Sequence, residues 1–169
     1  AASVFDTEAR KVLSSVLFSQ VKEHGMFGGV VPEIASRSQL EKINYIVQES
    51  IDKAGTTIEA IDTIAVTNKP GLAGSLLVGV CFAKGMAWAM KKRIIGINHL
   101  EGHIFSCFLQ SDGSVNDTVP FPCITMTVSG GHTALYKVSD YGSYEVIGET
   151  LDDAAGEAFD KIADRKSTR

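Results

Sequence analysis

The sequence predicts an α/β protein built on a mixed sheet with helices on both faces. Three observations carry this. Two β-rich runs, residues 3–6 and 11–20, are joined by a short polar turn. Helical and strand-like periods then alternate from residue 32 to residue 109. Strand-like runs and one last helix follow from residue 121. Antiparallel strands followed by alternating helices and strands make a mixed sheet.

Each element has a local reason. The first two runs form a hairpin, because both are rich in β-branched and apolar residues and the turn between them is polar. Residues 25–29 are a loop. Pro32 stands where proline opens a helix. Ile34, Leu40, Ile43, Ile46, Val47 and Ile51 keep a helical period, and Gly55 closes it. Residues 61–67 are a strand. The run Lys69-Pro-Gly-Leu-Ala-Gly74 turns the chain into an apolar helix. Residues 93–97 form the next strand, and a helix runs from about His99 to Leu109. Residues 111–119 are a polar loop. Residues 121–128, 134–139 and 144–148 are strands, and 152–163 is a helix. This order, ββ, α, β, α, β, α, then βββα, is the pattern of the ribonuclease-H-like half of actin-type ATPases.

Length and composition bound the function. The 169 residues allow one domain or one and a half. Hydrophobic residues make up 44% and charged residues 21%, which argues against disorder. Lys+Arg (16) trail Asp+Glu (20), giving a net charge of −4, so the chain is not a uniformly basic nucleic-acid binder. If nucleic acid is a partner, a local patch or another subunit must supply the positive field. Cys81, Cys107 and Cys123 show no CxxC spacing and read as reduced, mostly buried thiols of a cytosolic protein. Residues 1–10 lack the pattern of a signal peptide. The chain opens without methionine, on what looks like the inside of a strand, and is expected to be an internal piece of a longer protein. Residues 71–90 could imitate a membrane span. Four glycines and Lys84, which would cost roughly 3 kcal/mol at the bilayer centre, argue for a soluble helix packed closely on a sheet.

Four constellations carry chemistry. His99-Leu-Glu-Gly-His103 places two imidazoles at i and i+4, on one face of a helix that follows a strand directly. That spacing fits a shared metal ion, and equally two ordinary helix histidines. A zincin needs its glutamate right after the first histidine. Glu101 stands at i+2, about 200° round the helix at roughly 100° per residue. Ser129-Gly-Gly-His-Thr133 follows a strand; paired glycines and two hydroxyls suit a phosphate, or a plain β-turn. Asp153, Glu157 and Asp160 form an acidic stripe on a thin, alanine-rich helix, either a solvated face or acceptors for ribose hydroxyls or a cation. Glu33 and Arg37 form an i, i+4 pair at a helix start, either solvated or facing substrate.

Together these segments are far more specific than any one alone. Gly28–Arg37, the run Pro70–Gly79, His99–His103, Ser129–Thr133 and Gly148–Lys161 resemble, in order and spacing, the TsaD family, whose relatives include Kae and Qri proteins. The resemblance covers about residues 1–162. It implies one lobe of an actin-like, two-lobed fold, with residues 163–169 a polar tail and the second lobe absent. It implies transfer of threonylcarbamoyl from threonylcarbamoyl-adenylate to the adenosine beside the tRNA anticodon, by a metal-dependent acyltransferase in the cytoplasm. His99 and His103 match the family's metal-binding pair, with one divalent ion, iron or zinc. Thr127, Val128, Ser129, Gly130 and Gly131 match the loop that binds the ATP-type or adenylate substrate, and Asp160 also contacts it. His132, Glu33, Arg37 and Glu157 are candidates to face substrate. The implied partners are tRNA, a paralogous dimer partner of the TsaB type, and an accessory ATPase of the TsaE type; no membrane is implied. The apolar faces of the helices at 33–54 and 72–90 are candidates for the partner interface, although core burial is expected for most of their residues.

Departures from the family pattern set further expectations. The family begins with a strand and an acidic loop, and this chain starts after them. The family's third metal ligand, an aspartate, lies in the second half. Gln39 stands where histidine is usual, and Lys69 where glycine is common. The isolated chain is therefore expected to be inactive and to hold metal poorly. The alternatives are a non-catalytic paralogous partner subunit, a metalloprotease, and a chaperone- or sugar-kinase-type ATPase. The histidine pair favours the transferase over the partner, and the position of Glu101 argues against the protease.

Overall fold

The computed structural model describes residues 1–20, 27, 29–129 and 131–167, except the side chains of 164–167. The loop expected at 25–29 therefore falls mostly outside the described residues. The chain divides into two compact units. One comprises Ala1–Leu100 with Gln110–Val115; the other comprises Glu101–Leu109 with Asn116–Arg169.

In the first unit, β1 (Ala2–Asp6) and β2 (Lys11–Val16) form the expected antiparallel hairpin. The Asp6 carboxylate accepts the N–H groups of Glu8 (2.8 Å) and Ala9 (2.9 Å), an Asx-type turn that fixes the reversal. The loop at Gln110–Val115 lies along β2. Val12 N–H donates to the Gly113 carbonyl (2.9 Å) and Val115 N–H to that of Arg10 (3.0 Å). Gly113 has φ +83°, and a Cβ there would meet the Val12 oxygen at 2.9 Å, so only glycine fits.

Helix α1 (Pro32–Lys53) begins on its proline and packs against β1 and β2. Its anchor is polar. Ser14 Oγ donates to the Ser50 carbonyl (2.6 Å) and lies 2.9 Å from Ser50 Oγ, both serines buried. Gln39, a departure from the family pattern, donates to Gln20 Oε1 (3.4 Å), and Gln20 donates to the Ala35 carbonyl (3.2 Å). Strand β3 (Thr63–Lys69) starts two residues later than expected, because a 3-10 turn at Ile58–Ala60 takes up the Ile61 N–H. Helix α2 (Ala73–Met90) carries the chain to β4 (Arg93–Asn98), which pairs parallel to β3. α2 lies against β3 and β4 and packs on α1. Gly74 permits that packing: a Cβ there would sit 3.1 Å from Ser36. Among the described residues α2 alone is long and apolar enough to cross a membrane.

The second unit is a three-stranded antiparallel meander with helices. β5 (Cys123–Val128), β6 (Thr133–Asp140) and β7 (Ser143–Glu149) pair in that order. Helix α3 (His99–Ser106) crosses the division between the units after Leu100. It ends three residues before its expected end, as Phe108 and Leu109 turn back on the carbonyls of Phe105 and Ser106. Ile104, Ala134, Tyr136 and Val138 form the core, with Phe105, Phe121, Cys123 and Tyr144 against them. Phe108, Phe121 and Tyr141 extend it as an aromatic cluster with centroids 5.1–5.8 Å apart. Helix α4 (Ala155–Ser167) follows β7.

Mixed α/β architecture is thus observed, with both parallel and antiparallel ladders. The strands fall into separate ladders, β1–β2, β3–β4 and β5–β7. Two expectations about burial fail. Cys81 and Cys107 are exposed and Cys123 is half-buried. Cys81 lies on the outward stripe of α2, and Cys107 lies past the end of α3, its thiol donating to the Ile104 carbonyl (3.2 Å). Core burial also fails for most of α1 and α2: only Ala35, Ser50 and Ile51 of α1 and Ala83 and Ala87 of α2 are buried. Leu40, assigned to the periodic face, is 63% exposed. Small residues form the fully buried line of α2, while Leu77 and Trp88 point outward.

Candidate functional site

Helix α3 starts immediately after β4. Its first free amide is capped by Asn98, whose Oδ1 accepts the Leu100 N–H (3.0 Å). This fixes where the helix begins and puts His99 and His103 one turn apart, both on its exposed side. Glu101 points elsewhere. It is half-buried, and its Oε1 lies 3.8 Å from the position a Cβ on Gly142 would take. It also reaches the Tyr144 phenol, whose pKa is raised by burial first and by the Glu101 and Tyr136 charges after it. The i+2 offset read from the sequence has this structural result: the glutamate faces the β6–β7 turn. Among the described residues, no three His, Cys, Asp or Glu side chains come together as a metal cluster. His99 and His103 stand one helical turn apart.

The second and third constellations are brought together. Ser129 closes its own turn: its N–H (3.0 Å) and Oγ (2.8 Å) donate to the His132 carbonyl, and Oγ accepts the His132 N–H (3.0 Å). The hydroxyl expected to greet a phosphate is thus used to shape the loop. Gly130 lies outside the described residues; Gly131 is exposed. The loop is tied to the start of α4. Thr133 Oγ1 accepts the Ala155 N–H (3.0 Å), and the Ser129 carbonyl accepts the Gly156 N–H (3.3 Å). The cap on Ala155 explains why α4 starts three residues after the expected Asp152. Thr150 completes the knot. Its Oγ1 donates to the Thr133 carbonyl (2.9 Å) and accepts the Thr133 N–H (3.2 Å). Sequence reasoning missed Thr150 as a functional support, although it sits inside the quoted Gly148–Lys161 run. Thr127 Oγ1, one turn of the β5 pleat before the loop, is buried without a hydrogen-bond partner.

Two members of the acidic stripe, Asp153 just before α4 and Glu157 on it, share one lysine. Lys161 pairs with Asp153 and with Glu157 (3.2 Å), and these hydrogen bonds raise the lysine's pKa. Asp160 is exposed on α4. In the first unit, Glu33 and Arg37 form the i, i+4 ion pair at 2.6 Å, both strongly exposed. An exposed pair of this kind is worth a few tenths of a kcal/mol to the helix.

Comparison with known proteins gives the family. The family model for TsaD, tRNA N6-adenosine threonylcarbamoyltransferase, matches residues 11–168. A protein of that name from Clostridium perfringens (strain SM101) is 51% identical over 162 residues, 96% of this chain and 46% of its own length. One from Geobacter sp. (strain M21) is 49% identical over 156 residues, covering 92% and 44%. One from Clostridium botulinum (strain Hall) is 53% identical over 154 residues, covering 91% and 44%. The chain spans just under half the length of these relatives. Among solved structures, YeaZ from Pseudomonas aeruginosa is similar at a TM-score of 0.44 and 16% identity, over 64% of this chain and 51% of that one. The chain belongs to the TsaD family of tRNA N6-adenosine threonylcarbamoyltransferases.

Proposed function

We propose that this chain is part of an enzyme that transfers threonylcarbamoyl from its adenylate to the adenosine beside the tRNA anticodon. The carrying observation is the knot that seats the 129–133 loop on the start of α4. It ties Ser129 and Thr133, in and beside the segment matching the family's substrate loop, to the start of the helix that carries Asp160, which supports this reading. In the reaction, the adenosine amine attacks the carbamoyl carbonyl carbon. A C–N bond forms, the bond to the adenylate phosphate oxygen breaks, AMP leaves and the amine loses a proton.

The chain's residues have assignable parts in this. The loop after β5 orients the adenylate. Asp160 and Glu157 accept ribose hydroxyls. His99 and His103 hold a divalent iron or zinc ion, as two of the ligands such a site needs. When bound, that ion polarises the carbamoyl carbonyl. Holding both reactants in line supplies much of the remaining rate. His132, Glu33 and Arg37 are further candidates to face substrate. The reaction is cytoplasmic, with tRNA, a TsaB-type partner and a TsaE-type ATPase as the partners.

The test is made in the source cell. The gene is depleted and threonylcarbamoyladenosine in total tRNA is quantified by mass spectrometry. Loss restored by the wild-type gene, but not by His99→Ala/His103→Ala, supports the transferase and the metal pair together. Equal restoration by the double variant supports a non-catalytic partner subunit instead. An unchanged level overturns the reading.

A further inference from the structure

We propose that Lys69 determines acyl-donor specificity, pairing its ammonium with the carboxylate of the donor's threonyl group. The placement comes from the strand. β3 and β4 run in step from Thr63 against Arg93 to Thr67 against Ile97. The register then slips by one, so that Lys69, and not Asn68, stands opposite Asn98. Asn68 is the extra residue of a bulge, a device that re-aims the side chain after it. Gly96 makes room for it, since a Cβ there would collide with the Asn68 amide. The bulge thus sets a lysine beside the residue that caps α3 and immediately precedes His99. This is the carboxyl end of two parallel strands, where α/β sheets take ligands. Neighbouring strands lie about 4.8 Å apart, so the lysine side chain can reach a group bound at His99.

Charge decides what Lys69 takes there. The residue is exposed, and among the described residues no carboxylate pairs with it. Residues 63–100 contain no aspartate or glutamate. The acids on the starts of α1 and α3 are engaged elsewhere: Glu33 bonds Arg37 (2.6 Å), and Glu101 lies against Gly142. A compact ammonium without a counter-charge suits an anion. The identity of that anion rests on the transfer reading above. The donor carries two, the adenylate phosphate and the threonyl carboxylate. That reading gives the phosphate end to the loop after β5 and the carbamoyl carbonyl to the histidine helix. The carboxylate is joined to that carbonyl through one nitrogen and one carbon, so it is the anion at the His99 end. Glycine, common at this position in the family, offers no such charge, and the contact is therefore particular to chains with a lysine here.

The test uses the complete enzyme with its metal and partner subunits. Two acyl donors are compared, threonylcarbamoyl-adenylate and its threoninamide counterpart, which differ only in carboxylate against carboxamide. Transfer to tRNA is read by mass spectrometry. The wild type is expected to favour the acid donor about tenfold in kcat/KM. Lys69→Gln is expected to raise KM for the acid donor about tenfold with little change in kcat, bringing the two donors close to parity. Lys69→Arg keeps the charge and most of the preference. A purely structural role would weaken both donors and lower the unfolding midpoint together, which overturns the claim. A KM rise shared by both donors at an unchanged midpoint assigns Lys69 to the phosphate, and one confined to tRNA assigns it to the acceptor; either overturns the claim as well. Direct binding separates this claim from the transfer reading. N-carbamoylthreonine and its amide are titrated against the same proteins by ligand-observed NMR. Tighter binding of the acid by the wild type, lost in Lys69→Gln, supports the carboxylate contact even where no acyl group reaches tRNA, and only the transfer reading then fails. Equal binding of acid and amide by the wild type overturns the contact and leaves the transfer reading standing.

Discussion

Removing the Thr150 hydroxyl should loosen the loop–helix knot without touching any ligand. Thr150→Val keeps shape and volume but deletes two hydrogen bonds, the donation to the Thr133 carbonyl at 2.9 Å and the acceptance of the Thr133 N–H at 3.2 Å. The group is half-buried, so solvent replaces these bonds only in part. At about 1 kcal/mol each, the local loss is about 2 kcal/mol. The Thr150 N–H still reaches the Thr133 carbonyl (2.9 Å), which keeps the strand pairing in place. The damage should therefore be confined to the loop and the α4 start. Hydrogen exchange at the Thr133, Ala155 and Gly156 amides reads it directly, with protection falling about thirtyfold. Amides of Tyr136 and Val138 in the core should change little. Thr150→Ser restores the hydroxyl and should recover most of the protection. Unchanged exchange in Thr150→Val, or equal damage in Thr150→Ser, would refute the claim that these two bonds hold the loop.

Other consequences are equally direct. Ser14→Ala should cost about 1–2 kcal/mol in denaturant unfolding, and the Ser14→Ala/Ser50→Ala pair less than the sum of the singles, because both act on one buried contact. Gly113→Ala should cost about 2 kcal/mol by the same assay, since the left-handed φ and the 2.9 Å approach to the Val12 oxygen both oppose a Cβ. Tyr144 should titrate above its usual value near 10, seen by ultraviolet absorbance, and Glu101→Gln should lower its midpoint only in part because burial is the larger cause. The phenol prefers to stay neutral in the folded state. Its contribution to stability is therefore complete below the unfolded pKa and declines as pH rises past it toward the raised folded value. The 169-residue chain, with His99 and His103 as its paired imidazole donors, should lose added zinc to a chelator; stoichiometric metal retained through chelation would contradict this.

Much of this was legible from local pattern. The polar turn after the first strand, Pro32 at a helix start, Gly55 just past its end and the strand at 134–139 are decided within a few residues and appear near where expected, although the second strand ends at Val16 rather than residue 20. The i, i+4 and i+2 offsets of His103 and Glu101 from His99 also survived, because helix geometry alone fixes them. Burial was not legible in the same way. A helical period shows which residues share a face, but which face is covered depends on what packs there. On α2 the buried line is Ala83 and Ala87, while Leu77 and Trp88 point out. Pairing between ladders is likewise nonlocal. The role of Ser129 was open for a related reason: a hydroxyl after a strand fits either an anion or its own turn, and the structure shows it bonded to the His132 carbonyl 2.8 Å away.

The orientation of Glu101 bears on which chemistry the histidine helix suits. Peptide hydrolysis needs a base to take a proton from water at the reacting carbonyl. A zincin places that base on the histidine helix, one residue after the first ligand. Here the glutamate is drawn to the opposite side, toward Gly142 and the half-buried Tyr144. Swinging it back would turn a side chain already seated on the β6–β7 turn into solvent. Transfer to an adenosine amine makes a different demand. The nucleophile arrives already positioned on a large substrate, and the main requirement is that donor and acceptor be held in line while water is kept away. A helix bearing two imidazoles with its glutamate turned away from them lacks the base that the hydrolytic demand requires, and is compatible with the transfer we propose.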